Sequence, residues 1–330
     1  MSQINRRSLL TGVAATGALA ATASFAQVDQ VKATPDLSGK SVLITGCSSG
    51  FGRLAAESFA RGGAKVFATM RNVPRPEAEA LRAFAADNAV DLAVIEIDVT
   101  SDDQVGAGVA QALDATGGTL DVLINNAGIS YGGPVEIQDM EATRHMFETN
   151  VFGPHRMARA VLPAMRATKS GLIINVSSQL GKVIVPAYGQ YSPTKFALEA
   201  MSESLAYELV PHGIDVTIIQ PGGYPTMIWK NANENAMRLL ERADERHLDG
   251  YTALIAQLGQ RTGGGSTDPM DVPRAMAEVI SMPPGTRPLR RAVHPGLKPQ
   301  LPLNELTAKV QTEWLGASAY GPWIKAVHNA

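Results

Sequence analysis

The sequence predicts one α/β domain in which helices cover both faces of a parallel β-sheet. Two features of the chain support this fold class. Short runs of apolar, β-branched residues recur along it, and stretches with helical spacing separate those runs. Strands that alternate with helices build parallel βαβ units, whose sheet is buried on both faces. Right-handed crossovers then wind successive units into a doubly wound sheet.

Each element follows from its local pattern. We expect strands at 41–44, 65–69, 92–97, 122–124, 172–176 and 215–219, and a last strand at 291–293. We expect helices at 54–60, 77–86, 102–115, 140–165, 192–210 and 272–280. The helical region at 140–165 should break or bend around Gly153 and Pro154. The pattern extends from residue 39 to 294 and predicts a single domain with a Rossmann fold.

Composition limits the partners of this chain. Its 330 residues are 45% hydrophobic and 18% charged, and the formal net charge of −2 gives no nucleic-acid footprint. Cys47 is the only cysteine, so no intramolecular disulfide can form. The six histidines stand at no metal-site spacing, and we predict no metal.

Residues 1–26 have the pattern of a signal peptide. Arg6 and Arg7 precede an apolar run of small residues that ends near Ala26, and no acidic residue occurs before Asp29. The paired arginines resemble a twin-arginine signal, a pathway that exports folded proteins with their cofactors. We therefore expect an exported, periplasmic protein with a linker at 27–38. The run is too weakly apolar for a stable membrane span. The alternative is an unstructured tail with two chance arginines, which would leave the protein in the cytoplasm.

The region after the sixth strand has a different character. Residues 224–261 are mixed and partly helical, and the glycines at 263–265 predict a flexible joint. Residues 295–330 contain Pro, Trp and Tyr without a clear period, so we predict a C-terminal tail of undefined role.

The glycine-rich turn between the first strand and the first helix predicts a dinucleotide site. Glycines permit a tight turn and close approach to a pyrophosphate, and the following helix N-terminus offers free N–H groups and a positive dipole end. A random glycine-rich turn is the alternative. The spacing differs from G-x-G-x-x-G, because three residues separate the first two glycines. The candidate cofactor-binding residues in this turn are Gly46, Ser48, Ser49, Gly50, Phe51 and Gly52.

The end of the second strand favours NADP over NAD. An acidic residue there would bind the ribose 2′-hydroxyl and repel a 2′-phosphate, but no carboxylate occurs at 68–72. Arg71 can meet the phosphate with a charge-assisted contact, and Asn72 and Ser48 can add hydrogen bonds. A solvated surface role for Arg71 remains the alternative, with NAD as the second choice.

Tyr191 and Lys195 predict the catalytic centre. Positions i and i+4 share one helix face, and a nearby ammonium stabilises a phenolate, which suits the tyrosine to proton transfer. A Tyr-x-x-x-Lys pair alone is common by chance. Here Ser178 precedes Tyr191 by thirteen residues, directly after the fifth strand, and Asn150 lies in the preceding helical region.

Together, these motifs resemble the short-chain dehydrogenase/reductase family from about Ser38 to Val293. The turn from Thr45 to Gly52, the Asn-Asn-Ala-Gly motif at 125–128 and the Tyr-x-x-x-Lys motif occur in the family's order. The residues at 45–50 and 68–71 are similar to the branch that contains 17β-hydroxysteroid and retinol dehydrogenases.

The resemblance implies a role for each candidate residue. Tyr191 would be the general acid or base, and Ser178, preferred to Ser177 on spacing, would hydrogen-bond the substrate oxygen. Lys195 would also hold the nicotinamide ribose, and Asn150 would hold a water in the proton relay. The remaining cofactor contacts implied are Asp98 and Val99 at the adenine, Asn125, Ala127 and Gly128 along the cofactor, and Pro221, Gly222 and Thr226 at the carboxamide.

The implied activity is hydride transfer between NADP(H) and a secondary alcohol, ketone or aldehyde. A mobile substrate lid is implied at about 224–265, and the apolar residues at 183–185 and 227–229 favour an apolar substrate. The alternatives are an NAD-dependent alcohol dehydrogenase of the same family, a non-catalytic NADP-binding sensor, and a nucleotide-sugar enzyme of the extended branch. The glycine spacing argues against the last. The family also implies a homodimer or homotetramer.

Overall fold

A computed structural model describes residues 35–260 and 262–329 of the chain. The proposed twin-arginine signal at 1–26 and most of the linker at 27–38 lie outside these residues, so export stays a prediction. The described residues belong to one compact unit.

Seven strands form one sheet in which every pairing is parallel, in the order β3-β2-β1-β4-β5-β6-β7. The predicted doubly wound fold is therefore confirmed. The strands are β1 Ser41–Ile44, β2 Lys65–Met70, β3 Leu92–Glu96, β4 Val122–Asn125, β5 Gly171–Val176, β6 Ile214–Pro221 and β7 Arg290–Val293.

Helices cover both faces of this sheet. Val42 and Ile44 of β1 pack on one face and Leu43 on the other, because successive strand residues point in opposite directions. The chain order reverses at β1, which lies between β2 and β4, and such switch points open a crevice at the carboxyl ends of the strands. The helices are α1 Gly50–Arg61, α2 Pro76–Asn88, α3 Asp102–Asp114, α4 Met140–Phe147, α5 Gly153–Thr168, α6 Tyr191–Leu209, α7 Met227–Arg242, α8 Glu245–Leu248, α9 Thr252–Ile255, α10 Asp271–Ser281, α11 Leu301–Leu315 and α12 Gly321–His328.

The predicted break at Gly153 and Pro154 is a π-helical turn, Glu148–Phe152, which joins α4 to α5 without leaving the helical path. Proline is accommodated in the first turn of α5, where its missing N–H is not needed. A Cβ on Gly153 would lie 2.8 Å from Cγ2 of Val99, so glycine allows the helix to approach the end of β3 closely.

The segment predicted to be a C-terminal tail of undefined role contains α11 and α12. α12 packs against α6, where His328 bonds to the Tyr207 hydroxyl at 2.7 Å, and Ile324 of α12 is buried. No residue of α11 is fully buried, and apolar residues such as Leu306 and Trp314 face solvent. The apolar residues of α11 therefore do not lie on one buried face, which explains why the sequence showed no clear helical period in this segment. In the described ranges, no helix combines the length and apolar character needed to cross a membrane.

Candidate active site

Close backbone packing shapes the glycine-rich turn after β1. Gly46 and Gly50 have φ angles of +74° and +58°, in the left-handed region that favours glycine. A Cβ on Gly46 would lie 2.8 Å from Cα of Ala127, and a Cβ on Gly52 would lie 2.4 Å from Nδ2 of Asn126. The glycines therefore bring this turn against the segment that follows β4.

Thr45 and Asn126 hold the two segments together. The Thr45 hydroxyl accepts hydrogen bonds from the backbone N–H groups of Asn126 and Ala127, each at 3.0 Å. The Asn126 amide donates to the carbonyls of Thr45 at 2.9 Å and Gly46 at 3.2 Å. The sequence analysis assigned no role to either residue, although the Asn-Asn-Ala-Gly motif contained the signal for Asn126.

A cavity of about 420 Å³ lies at the switch-point crevice, lined by residues that end or follow β1 to β6. Most of the predicted site residues share this cavity, and they are Gly46, Ser48, Ser49, Gly50, Phe51, Arg71, Asp98, Val99, Ala127, Gly128, Ser178, Tyr191, Lys195, Pro221, Gly222 and Thr226. Gly52, Asn125 and Asn150 do not line it.

Asn125, predicted at the cofactor site, does not line this cavity. Its Nδ2 donates to Oδ1 of Asn175, its register partner on β5, at 2.8 Å. Asn175 in turn donates to the Ser202 hydroxyl of α6 at 2.8 Å. Asn125 is buried, and its side chain is linked to α6 through Asn175. Its neighbour Asn126, one position along the chain, lines the cavity instead.

Tyr191 and Lys195 lie on the first turns of α6, and the Lys195 ammonium is 5.6 Å from the centre of the Tyr191 ring. Burial raises the pKa of Tyr191 to about 12, while a hydrogen bond with Ser178 opposes that rise. Burial lowers the pKa of Lys195 to about 8, and the nearby charge of Glu199 opposes that change. Lys195 Nζ donates to the carbonyl of Val176 at the end of β5, at 2.9 Å.

Asn150 lies in the π-helical turn and is fully buried. Its Oδ1 accepts from the N–H of Ile129 at 2.8 Å, and its Nδ2 donates to the carbonyl of the same residue at 2.9 Å. Nδ2 also contacts the Thr194 hydroxyl of α6 at 3.1 Å. Single π-helical turns are frequent at functional sites, and here the turn directs an amide between the β4 loop and α6.

The opposite end of the cavity carries two arginines. Arg71 follows β2 as predicted, and Arg75, which the sequence analysis missed, also lines the cavity. Arg75 donates to the carbonyl of Arg71 at 3.4 Å and to Glu77 at 2.8 Å. Asp98 accepts from the backbone N–H and the hydroxyl of Thr100 at 2.9 and 2.8 Å, which fixes its carboxylate within the turn after β3.

The region predicted as a lid contains α7, α8 and α9. Trp229 contacts the Tyr188 ring edge to face at 6.3 Å and donates from Nε1 to the carbonyl of Tyr224 at 2.8 Å. A Cβ on Gly263 would lie 1.9 Å from the Trp229 ring, and one on Gly264 would lie 2.3 Å from Cα of Tyr224. Two of the three glycines predicted as a flexible joint, Gly263 and Gly264, are therefore needed for close packing on the lid.

These residues fit a nicotinamide dinucleotide. Gly46 and the residues at 48–51, which form the N-terminus of α1 and the turn before it, line the cavity, and the cavity joins the arginine end to the Tyr191 end. Within the described part of the chain, no group of three or more His, Cys, Asp or Glu side chains is placed to hold a metal ion.

Comparisons with known proteins agree with this geometry. The family model described as short chain dehydrogenase matches residues 40–237. The chain is 42% identical over 236 residues to the uncharacterized oxidoreductase YusZ of Bacillus subtilis, covering 71% of this chain and 81% of that protein. It is 36% identical over 266 residues to retinol dehydrogenase 8 of Homo sapiens, covering 76% of this chain and 80% of the relative.

Two solved structures are also similar. A short chain dehydrogenase/reductase from Burkholderia phymatum in complex with NAD has a TM-score of 0.67 and 25% identity, covering 84% of this chain and 94% of that chain. A metagenomic short-chain oxidoreductase in complex with NADP has a TM-score of 0.61 and 26% identity, covering 79% and 99%. The family match over more than half of the chain shows that this protein belongs to the short-chain dehydrogenase family of oxidoreductases.

Proposed function

We propose that the protein is an NADP(H)-dependent oxidoreductase that interconverts an apolar secondary alcohol and its ketone, or an alcohol and an aldehyde. The observation that carries this proposal is the shared cavity, with Tyr191, Ser178 and Lys195 at one end and Arg71 at the other. When bound, the nicotinamide would supply or accept the hydride.

Tyr191 would move the proton. Because burial raises the pKa of its phenol, Tyr191 is protonated at neutral pH and can donate to the oxygen of a carbonyl undergoing reduction. In alcohol oxidation the phenolate must form, and the Ser178 hydrogen bond and the Lys195 ammonium both favour that form. Ser178 would also orient the substrate oxygen toward Tyr191.

The roles of Lys195 and Asn150 follow from their contacts. Lys195 keeps one donor on Val176, which fixes its ammonium beside Tyr191 and leaves other donors for the cofactor ribose. Asn150 fixes the backbone of Ile129 next to Gly128, and its proposed part in a water relay rests on the family resemblance. Every member of the expected tetrad is present, which argues against the non-catalytic sensor.

The preference for NADP rests on charge. Arg71 and Arg75 both line the cavity at its adenine end, and β2 ends at Met70 without a carboxylate. A 2′-phosphate would receive charge-assisted hydrogen bonds from these guanidinium groups. The NADP complex of the metagenomic relative supports this choice, and the NAD complex of the Burkholderia phymatum protein keeps NAD as the second candidate.

The substrate end of the cavity carries several bulky apolar side chains. Leu180, Val185 and Tyr188 line it from the segment after β5, and Met227, Ile228 and Trp229 line it from the lid. Such walls favour an apolar substrate because burial removes apolar surface from water. The name of the human relative, retinol dehydrogenase 8, supports the same class.

We also propose export through the signal at 1–26 and assembly into a homodimer or homotetramer. The export proposal rests on the paired arginines and the apolar run. The assembly proposal rests on the family resemblance and on α6, where Phe196 is exposed while α12 covers the region of Tyr207.

The cofactor proposal is tested by titrating NADPH and NADH into the purified chain, followed by nicotinamide fluorescence. Wild type should prefer NADPH, and Arg71→Glu should lose that preference through charge repulsion. Arg159→Glu, an exposed change on α5, is the matched control and should leave it intact. Preference of the wild type for NADH would overturn the NADP assignment, and binding of neither would overturn the enzyme proposal.

The catalytic proposal is tested by NADPH consumption with a panel of apolar ketones and aldehydes that includes all-trans-retinal. Tyr191→Phe should bind NADPH as the wild type does but lose about 10²–10⁴-fold in turnover, the usual effect of a general acid. Wild-type turnover in this variant would contradict the role of Tyr191.

A further inference from the structure

A buried carboxylate lies one helical turn beyond Lys195. Glu199 is 2% exposed, and residues at i and i+4 of a helix are neighbours on one face. An isolated carboxylate at this depth would be strongly destabilised, so Glu199 needs hydrogen-bond donors or cations as partners. The family resemblance and the proposed mechanism assign no role to this residue.

Two hydrogen bonds fix the Glu199 carboxylate. Oε1 accepts from Nε2 of Gln220 on β6 at 2.9 Å, and Oε2 accepts from Nε of Arg290 on β7 at 2.8 Å. The Arg290 guanidinium also binds Glu203, the next acidic residue along α6. The carboxylate is thus held by two strands of the sheet.

The orientation of Gln220 depends on the C-terminal helix α11. Asn304 donates from Nδ2 to Oε1 of Gln220 at 2.7 Å. This contact assigns the acceptor end of the Gln220 amide to Asn304, and its donor end bonds to Glu199 at 2.9 Å and to Oδ1 of Asn304 at 3.3 Å. A residue more than one hundred positions from Glu199 therefore helps to hold its carboxylate in place.

Glu199 also supports the turn that follows Ser178. A Cβ on Gly181 would lie 3.0 Å from Cγ of Glu199 and 2.7 Å from the Ser177 hydroxyl. Only glycine allows this turn to rest on Glu199, so the Glu199 side chain contacts the turn that follows Ser178.

Charged groups of both signs lie around Glu199. Arg290 from β7, Lys182 from the end of the turn after Ser178, and Glu203 from α6 surround the Glu199 carboxylate. Lys195 lies beside the Tyr191 phenol. Burial lowers the pKa of Lys195, and the charge of Glu199 opposes that change. Removal of the Glu199 charge would leave burial unopposed and favour the neutral amine.

We infer that Glu199 is a positioning residue for the proposed reaction: its carboxylate, fixed by Gln220 and Arg290, keeps the buried Lys195 ammonium charged beside Tyr191. Only the catalytic consequence of this inference rests on the proposed function. The protonation of Lys195 can be measured without substrate or cofactor.

The test is a ¹³C NMR pH titration of the full chain with labelled lysine side chains, in which the Lys195 signal is assigned by its absence from Lys195→Met. Glu199→Gln should lower the pKa of Lys195 by about one unit, a tenfold loss of proton affinity. Arg290 keeps Glu203 as a partner in this variant, so its charge is not orphaned. The matched control is Glu203→Gln, which removes a carboxylate from the same arginine but lies one turn farther from Lys195, and it should leave the titration unchanged.

An unchanged Lys195 titration in Glu199→Gln, or equal shifts in the two variants, would overturn the inference. Should Glu199→Gln fail to fold, Glu199→Asp moves the charge away by one methylene and should shift the pKa in the same direction by less. Turnover that survives in Lys195→Met would contradict the proposed function, but the NMR titration of Lys195 would still test the inference.

Discussion

Asn150 and Ile129 exchange two hydrogen bonds, one in each direction. The side-chain oxygen accepts from the backbone N–H at 2.8 Å, and the side-chain amide donates to the backbone carbonyl at 2.9 Å. The pair joins the π-helical turn to the loop after β4, and it satisfies both backbone groups of a residue that lines the cavity.

Replacement of Asn150 by Ala should destabilise the protein and lower turnover. The change leaves the N–H and carbonyl of Ile129 without these partners, which costs about 1–3 kcal/mol in unfolding free energy. Urea unfolding monitored by circular dichroism measures this. Asn88→Ala, an exposed asparagine on α2, is the control, and equal losses in the two variants would contradict the role of the pair.

Replacement of Gly52 by Ala should weaken NADPH binding and cost about 1–3 kcal/mol in stability, the usual penalty of overpacking. The added Cβ would lie 2.4 Å from Nδ2 of Asn126 and 2.5 Å from the carbonyl oxygen of Gly46, so the glycine-rich turn must shift. Gly106→Ala on α3, where a Cβ meets nothing within 4 Å, should be neutral or stabilising. Binding and stability equal in both variants would refute this account.

Glu203 should stabilise the protein except in acid. Burial alone would raise the pKa of Glu203, but hydrogen bonds from His328 and Tyr207 and the charge of Arg290 lower it to about 2. A carboxyl with a lowered folded-state pKa contributes stability above its unfolded pKa of about 4.5, here about 3 kcal/mol, and loses it as the pH falls toward 2.

The difference in unfolding free energy between wild type and Glu203→Gln should therefore be largest at neutral pH and shrink from about pH 5 to pH 3. Urea unfolding at several pH values measures it. Glu313→Gln, an exposed change on α11, should show almost no difference at any pH. A constant difference for Glu203→Gln would show that its charge is not involved.

Replacement of Asn304 by Leu tests whether the C-terminal helix α11 influences the active site. The change removes the donor that orients Gln220, so we expect a loss of about 1–2 kcal/mol in stability. It should also lower the pKa of Lys195 in the NMR titration, by less than Glu199→Gln does. Thr307→Ala, which removes only a hydroxyl bond within α11, is the control. An unaffected Lys195 in Asn304→Leu would limit α11 to a structural role.

Cys47 should be unreactive in the folded protein. It is fully buried, its thiol contacts the carbonyl of Ile44, and burial raises its pKa to about 12, so almost no thiolate forms at neutral pH. A chromogenic disulfide reagent should release one equivalent of product in denaturant and almost none in buffer. Rapid reaction of the native protein would show that the turn after β1 opens readily.

Local patterns predicted the fold class, the glycine-rich turn and the Tyr191 and Lys195 pair, and the family resemblance implied most of the other candidate site residues. Strands and helices were predicted because a buried face repeats with the period of its element, as in β6, expected at 215–219 and observed at Ile214–Pro221. The Tyr191 and Lys195 pair was predicted because a helix brings i and i+4 together whatever surrounds it. The turn after β1 was predicted because glycine adopts tight-turn conformations that other residues avoid, as the positive φ angles of Gly46 and Gly50 show.

Contacts between distant segments decided the rest. Asn125 points toward Asn175 rather than the cavity, because the register of β4 against β5 sets its direction. The helices of the C-terminal segment could not be predicted from periodicity, because the apolar residues of α11 face solvent. Gln220 of β6 and Arg290 of β7 bind the Glu199 carboxylate, and Asn304 of α11 binds Gln220, so three separate elements meet at this buried charge. Periodicity reports which face of an element is buried, but only the packed structure determines which polar groups meet there, since burial forces each of them to find a partner.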